Sequence, residues 1–167
     1  MKISLIMLLL AMLPLAGQAA PPALEDQLGR SVSLDDYQGQ AVLAIVVSGR
    51  KLRHIQRWEE ALRAEQPALQ SIRVADIQDT PRPDLAQVAA KLQKRVPPEA
   101  SVLIDLDNQW AQAYKLDTNE PCLLLFSPDH ELVAEFRGRA NKQRLAEVLA
   151  AIAPYFPTPT AVPADAG

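Results

Sequence analysis

The chain has too few cysteines for the chemistry that cysteine pairs perform. Cys122 is the only one among 167 residues, so no disulfide can form within the chain. Thiol exchange needs one thiolate as nucleophile and a second thiol for release. The sequence therefore excludes a dithiol oxidoreductase that acts with its own pair of cysteines.

Several other signatures of chemistry are missing. The net charge is −3, and no basic run with interleaved aromatic residues is present, so the sequence does not indicate nucleic-acid binding. It contains no Ser-His-Asp grouping, no phosphate-binding glycine loop and no His-Glu-x-x-His motif. We expect no cofactor.

Long apolar runs are also missing. The run from Ile3 to Leu15 has 13 residues, fewer than the roughly 20 that span a bilayer. Met1 and Lys2 precede it, and small residues around Ala19 follow it, which is typical of a secretory signal peptide over residues 1–19. We therefore expect export to the periplasm and no membrane span in the mature protein.

The rest of the chain predicts one domain, residues 20–154, and a disordered tail rich in proline and alanine, residues 155–167. Within the domain, strand patterns alternate with helix patterns. The apolar run from Ala41 to Val47 predicts a buried strand. Helical spacing after that strand predicts a helix, bounded by Pro67, with the apolar residues Leu52, Ile55, Trp58 and Leu62.

The last third of the chain has the clearest pattern. Cys122 to Phe126 predicts a strand, Leu132 to Phe136 a returning strand, and Asn141 the cap of a final helix. A βαβ alternation that ends in a hairpin and a helix indicates an α/β fold. We expect a mixed central sheet flanked by helices on both faces.

Two segments carry a family resemblance. Residues 26–39 are similar to the D-x-x-G-x-x-V-x-L-x-D-x-x-G-K opening of TlpA-like and peroxiredoxin-like (AhpC/TSA-like) chains. The segment SVLIDLDNQWAQAYKLDTNEPCLLLFSPDHELVAEFRG resembles the second half of periplasmic thioredoxin-like proteins of the TlpA and ResA type. The resemblance implies a thioredoxin-like fold, and it matches Pro121 to the cis-proline beside the redox site of that family.

The resemblance also shows a replacement. In the TlpA and ResA type, a strand leads through serine into W-C-x-x-C; aligning Ser48 with that serine puts Arg50 and Arg53 at the two cysteine positions. We call Ser48 to Arg53 the former redox site. The first half of the chain is also similar to YtfJ-like periplasmic proteins, in which Gly-Arg follows the first core strand in place of a cysteine motif. A guanidinium group cannot act as a thiol.

Basic residues around this junction are candidates for binding. The cluster consists of Arg50, Lys51, Arg53, His54 and Arg57. The fold implied by the resemblance brings Pro121 and Arg139 to the same end. Cations at a helix N-terminus oppose its dipole and its free N–H groups unless an anion or acidic partner lies among them. The alternative is an ordinary solvated helix face.

The remaining candidates have plainer interpretations. Cys122 is expected to be a small buried core residue, although a reactive thiol near the helix start is the alternative. His54 and His130 are expected to be solvated and to lie at opposite edges of the sheet, so we expect no metal site. Carboxylates such as Glu59 and Asp105 are expected in ordinary exposed-helix and strand-end settings.

These observations favour a non-enzymatic function. We expect an exported, redox-inactive binding or adaptor module that holds a protein segment or a small anion at the former redox site. The alternative is a thiol-redox protein that acts through Cys122, which would then be the only catalytic residue.

Overall fold

The computed structural model of the protein describes residues 21–79 and 81–156. The predicted signal peptide and the predicted tail from residue 157 onwards lie outside the described residues. Tyr155 and Phe156 are partly buried and pack against the core.

A five-stranded mixed sheet forms the centre of the described chain. Its spatial order is β5, β4, β3, β6, β7. Strands β3, β4 and β5 run parallel, whereas β6 pairs antiparallel with both β3 and β7. The strand bounds are β3 Val42–Ser48, β4 Ser71–Asp76, β5 Leu103–Asp105, β6 Cys122–Phe126 and β7 Leu132–Arg137. All residues of β3 and β6 are buried, as expected for continuous apolar strands inside a covered sheet.

Helices cover both faces of this sheet, as the sequence predicted. On one face lie α1 (Arg53–Glu65), α2 (Leu85–Gln93) and α4 (Lys142–Ile152). The other face packs against α3 (Gln109–Tyr114), a short hairpin of β1 (Leu24–Glu25) and β2 (Ser31–Val32), and the 3-10 helix Leu34–Tyr37.

Each face has its own apolar core. Trp58 and Leu62 of α1 and Ile152 of α4 pack on Ile45 and Val47 of β3. The aromatic rings of Trp110, Tyr114 and Phe126 contact one another across the opposite face, with ring centroids 5.6 to 6.2 Å apart. The two cores fix α1 and α3 on opposite sides of the same strand end.

The described helices are too short or too polar to cross a membrane.

Candidate functional site

The former redox site lies at one edge of the sheet, where β3, β4 and β5 end. Its first residues are fixed by backbone hydrogen bonds to two neighbouring segments. The Ser48 N–H donates to the Thr118 carbonyl at 3.0 Å, and the Gly49 N–H donates to the Asp76 carbonyl at 2.8 Å. A Cβ atom at Gly49 would lie 2.5 Å from Cδ1 of Ile77, so a larger residue here would require the end of the Ile77 side chain to move.

Two buried aspartates end the neighbouring strands. Asp76 and Asp105 are both fully buried and pair in register across β4 and β5. Asp76 accepts hydrogen bonds from the Thr118 hydroxyl and from Gln78. Burial raises the pKa of Asp105, which accepts backbone N–H bonds at the start of α3.

Asp105 ends β5, as the sequence predicted, but the setting is not an ordinary one because the side chain is fully buried. Aspartate at the carboxyl ends of two adjacent parallel strands was the signal that could have revealed this buried pair. Glu59 is not on an open helix face either: it is 2.6 Å from Arg73 in an ion pair whose side chains are 11% and 18% exposed.

Two of the candidate cations have partners within the protein. The Arg50 side chain is 79% exposed and lies 2.5 Å from the Asp79 carboxylate. The Lys51 amine donates a hydrogen bond to the Asn119 carbonyl. Asp79 is thus an acidic group that compensates part of the positive charge expected at the helix start.

Three other cations have no such partner in the described part of the chain. Arg53, Arg57 and Arg139 are exposed, and no carboxylate of residues 21–79 and 81–156 lies within 4 Å of their side chains. Arg139 is brought towards α1 by its neighbour Gly138. The Gly138 carbonyl accepts from Trp58 Nε1 at 3.1 Å, and its N–H donates to the carbonyl of the buried Pro121 at 2.9 Å.

His54 is not solvated, contrary to the sequence-based expectation. It is 3% exposed and lies on the buried stripe of α1, one turn before Trp58. Burial lowers the pKa of His54, and the charges of Arg139, Arg53, Arg57 and Lys51 lower that pKa further. Its spacing of four residues from Trp58 was the signal that could have revealed its burial.

At the start of α1, two of the N–H groups that were expected to be free are hydrogen-bonded. The N–H groups of His54 and Ile55 donate to the carbonyls of Lys51 and Leu52, each at 2.9 Å. These two donors are therefore not available to an anion. An anion bound here would therefore meet fewer free backbone donors than the sequence predicted, and side chains would supply part of its hydrogen bonds.

Cys122 is buried, as expected for a core position. It pairs with Val46 of β3 and belongs to the core on the α3 face, whereas α1 packs on the opposite face. Burial raises the pKa of its thiol to about 11. The Sγ atom lies 3.5 Å from the carbonyl oxygens of Asp117 and Glu120. Cys122 thus lies near the end of β3 that leads into the former redox site, but it faces the side of the sheet opposite to α1 and its basic residues.

His130 lies at the opposite edge of the sheet, as predicted. It occupies the turn between β6 and β7, with Nδ1 3.5 Å from a carboxylate oxygen of Asp35. It is also less solvated than expected, because its side chain is 14% exposed. In the part of the chain that the structure describes, no three His, Cys, Asp or Glu residues are grouped to hold a metal ion.

A cleft of about 460 Å³ adjoins the former redox site. It lies between the loop containing Arg50 and Lys51 and α2, which contributes Lys91, and Arg95 lines it from the residues just after that helix. Four basic residues therefore line this cleft, and the acidic Asp79 lines it as well.

Comparison with known proteins identifies the architecture. No protein-family model and no curated protein matches the sequence. Among solved structures, Etrx1, an exposed lipoprotein thioredoxin of Streptococcus pneumoniae strain TIGR4, is similar with a TM-score of 0.63 and 16% identity, covering 78% of this chain and 98% of that chain.

Proteins of the Sco group are similar as well. Yeast Sco1 has a TM-score of 0.61 and 16% identity, covering 86% of this chain and 99% of that chain. Copper-bound ScoI of Arabidopsis thaliana has a TM-score of 0.58 and 15% identity, covering 81% and 98%. Likeness at these identities extends to the fold alone, and this chain has a thioredoxin-like fold.

Proposed function

We propose that the protein is a redox-inactive binding or adaptor module, exported to the periplasm, that holds a protein segment or a small anion at the former redox site. The proposed site consists of Arg50, Lys51, Arg53, His54, Pro121 and Arg139: the three arginines are exposed and Lys51 is partly exposed, whereas His54 and Pro121 are buried and would support the surface without lining it. One observation carries the proposal: the positions aligned with the redox cysteines present exposed arginines, while the only thiol is buried on the other side of the sheet.

Electrostatics supports binding of negative charge here. Arg53 and Arg139 are exposed cations without a carboxylate partner in the described chain. Arginine presents a planar fork of N–H donors that matches carboxylate, sulfate and phosphate groups. An acidic protein segment or a small oxyanion is therefore the ligand chemistry that suits this surface best.

Export is the remaining part of the proposal. It is supported by the signal-peptide pattern of residues 1–19 and is consistent with the similarity to an exposed lipoprotein thioredoxin.

Partner capture with charge-reversed variants tests the function. We expect the mature protein to retain a protein from a periplasmic extract, and Arg53→Glu combined with Arg139→Glu to abolish that capture. The control is Arg63→Glu combined with Lys94→Glu, which makes the same charge change at exposed positions elsewhere. Equal capture by all three proteins would contradict the proposal, as would disulfide-reductase turnover of insulin by the wild type.

The second candidate function uses Cys122 as a redox-active thiol. The observation that favours it is the position of Cys122 directly after Pro121, which the resemblance matches to the proline beside the redox site. Burial and a raised pKa oppose it, because the thiolate is the reactive form.

Thiol titration separates the two functions. We expect an aromatic disulfide reagent to modify Cys122 only after denaturation, because the native side chain is buried. Complete modification of the native protein within seconds at pH 7 would favour the thiol-redox function, with Cys122→Ser as the blank.

A further inference from the structure

The arginines around His54 form a positive patch, and no carboxylate of residues 21–79 and 81–156 pairs with them. Arg53 and Arg57 lie four residues apart on α1, and Arg139 of the loop between β7 and α4 follows Gly138, whose carbonyl accepts a hydrogen bond from Trp58 Nε1 of the same helix at 3.1 Å. Like charges at this helical spacing repel one another, and cations in the first turns of a helix oppose its dipole. The first turn of α1 contains no acidic residue and its cap residue makes no side-chain hydrogen bond.

Arg50 shows how such charge is compensated when a carboxylate is available. Its guanidinium binds Asp79 through Nε at 3.1 Å and Nη2 at 2.5 Å. Arg53, Arg57 and Arg139 have no equivalent of Asp79 among the described residues. A carboxylate or another oxyanion from outside the chain would fill that role.

His54 is placed to respond to such an anion. The charged groups acting on it are Arg53 and Arg57 of its own helix, Lys51 of the preceding loop and Arg139 of the facing loop. The faces of β3 and α4 that pack against α1 contribute apolar side chains to the shared core. Protonation of His54 would thus add a positive charge to a site that is already positive.

We propose that Arg53, Arg57 and Arg139 form a site for an oxyanion of the carboxylate, sulfate or phosphate class, and that its occupation is coupled to protonation of His54. The inference rests on the proposed binding function and narrows it to one ligand chemistry. It also adds Arg57, which is not part of the surface proposed above. His54 acts through charge and does not need to touch the ligand.

The coupling has a defined sign. A bound anion offsets the repulsion from the arginines, so it raises the proton affinity of His54. Coupling between two ligands is reciprocal, so protonated His54 raises the affinity for the anion by the same factor. A bound anion that raises the His54 pKa by about one unit gives at most about tenfold tighter binding once His54 is protonated, so we expect the anion to bind several-fold more tightly at pH 5 than at pH 8.

A histidine titration followed by NMR tests the coupling in the full mature chain. Sulfate is the probe, compared with chloride at equal ionic strength, because sulfate does not titrate between pH 5 and 8. We expect saturating sulfate to raise the pKa of His54, read as the midpoint of its titration, by about one unit. His130, at the other edge of the sheet, is the internal reference and should not move. An unchanged His54 midpoint, or an equal shift of both histidines, would overturn the proposal.

Single substitutions test the site itself. Arg57→Gln and Arg139→Gln should each weaken sulfate binding at pH 5 several-fold. Arg63→Gln, which removes an exposed arginine from the last turn of the same helix, should leave the binding unchanged. If Arg57→Gln binds sulfate like the wild type, the site is wrong even where partner capture persists. If sulfate binds as expected but no partner is captured, the adaptor function is wrong and the anion site remains.

A competition experiment, in which peptides or phosphate displace bound sulfate, identifies the source of the oxyanion. A glutamate-rich peptide that displaces sulfate, where a glutamine-rich peptide of equal length does not, identifies an acidic protein segment. Displacement by phosphate but not by the glutamate-rich peptide identifies a small ion. Either result supports the site, and failure of sulfate, phosphate and peptide alike to bind overturns it.

Discussion

At the scale of single residues, the two tryptophans are buried alike but differ in hydrogen bonding. Trp58 is fully buried, and its Nε1 donates to the Gly138 carbonyl at 3.1 Å. Trp110 is 1% exposed, and its Nε1 has no partner within the described residues. A buried donor stabilises the fold when it is paired and costs free energy when it is not. The two indoles should therefore respond differently to replacement by phenylalanine.

We expect Trp58→Phe to lower the free energy of unfolding by about 1 kcal/mol more than Trp110→Phe does. The substitutions remove the same ring atoms from buried positions, so their packing losses largely cancel in the comparison. Urea unfolding of the two variants and the wild type measures the difference. A Trp110→Phe variant that loses as much stability as Trp58→Phe would show that the Gly138 hydrogen bond contributes little.

At the scale of elements, the parts of the structure that follow local patterns could be predicted. The spacing of Ile55, Trp58 and Leu62 predicted a helix before Pro67, and α1 runs from Arg53 to Glu65. The apolar run from Cys122 predicted β6, and Asn141 caps α4 by accepting the Arg144 N–H at 3.0 Å. Such signals lie within a few residues of one another, so the sequence alone carries them.

The partners of the site residues could not be predicted in the same way. Arg50 binds Asp79, 29 residues away, and Lys51 binds the Asn119 carbonyl, 68 residues away. These contacts depend on how the ends of β3 and β4 and the loop before β6 meet in space. His54 is an intermediate case: its spacing from Trp58 placed it on the buried stripe, but the basic residues around it suggested a solvated face.

At the scale of the whole molecule, the amino-terminal hairpin is joined to the sheet through two buried polar residues. Asp26 pairs with Leu103 in an isolated bridge and accepts from the Ser101 hydroxyl at 2.7 Å. Gln27 accepts from the Val102 N–H at 2.8 Å. The hairpin thus joins the sheet at β5, which is the outermost strand on one side.

Asp26 makes this junction sensitive to acid. Burial alone would raise its pKa, but hydrogen bonds from the Arg30 and Leu28 N–H groups, the Ser101 hydroxyl and the Arg30 side chain outweigh burial and lower the pKa to about 2. A carboxylate whose pKa is lowered by folding stabilises the folded state above its unfolded pKa. That contribution is lost as the pH falls through the folded pKa. The relevant window lies between about pH 4 and pH 2.

We therefore expect Asp26→Asn to lower the free energy of unfolding by about 2 kcal/mol at pH 6, because the amide cannot accept these bonds as an anion. The deficit should shrink as the pH falls from about 4 towards 2, where the wild-type carboxyl also becomes neutral. Urea unfolding of both proteins across this range measures it. Asp129→Asn, at an exposed turn, is the control and should show little deficit at any pH. A difference in unfolding free energy that stays constant with pH would contradict the prediction. It would show that Asp26→Asn acts through altered geometry, and not through loss of the carboxylate charge that the hydrogen bonds of the hairpin junction stabilise.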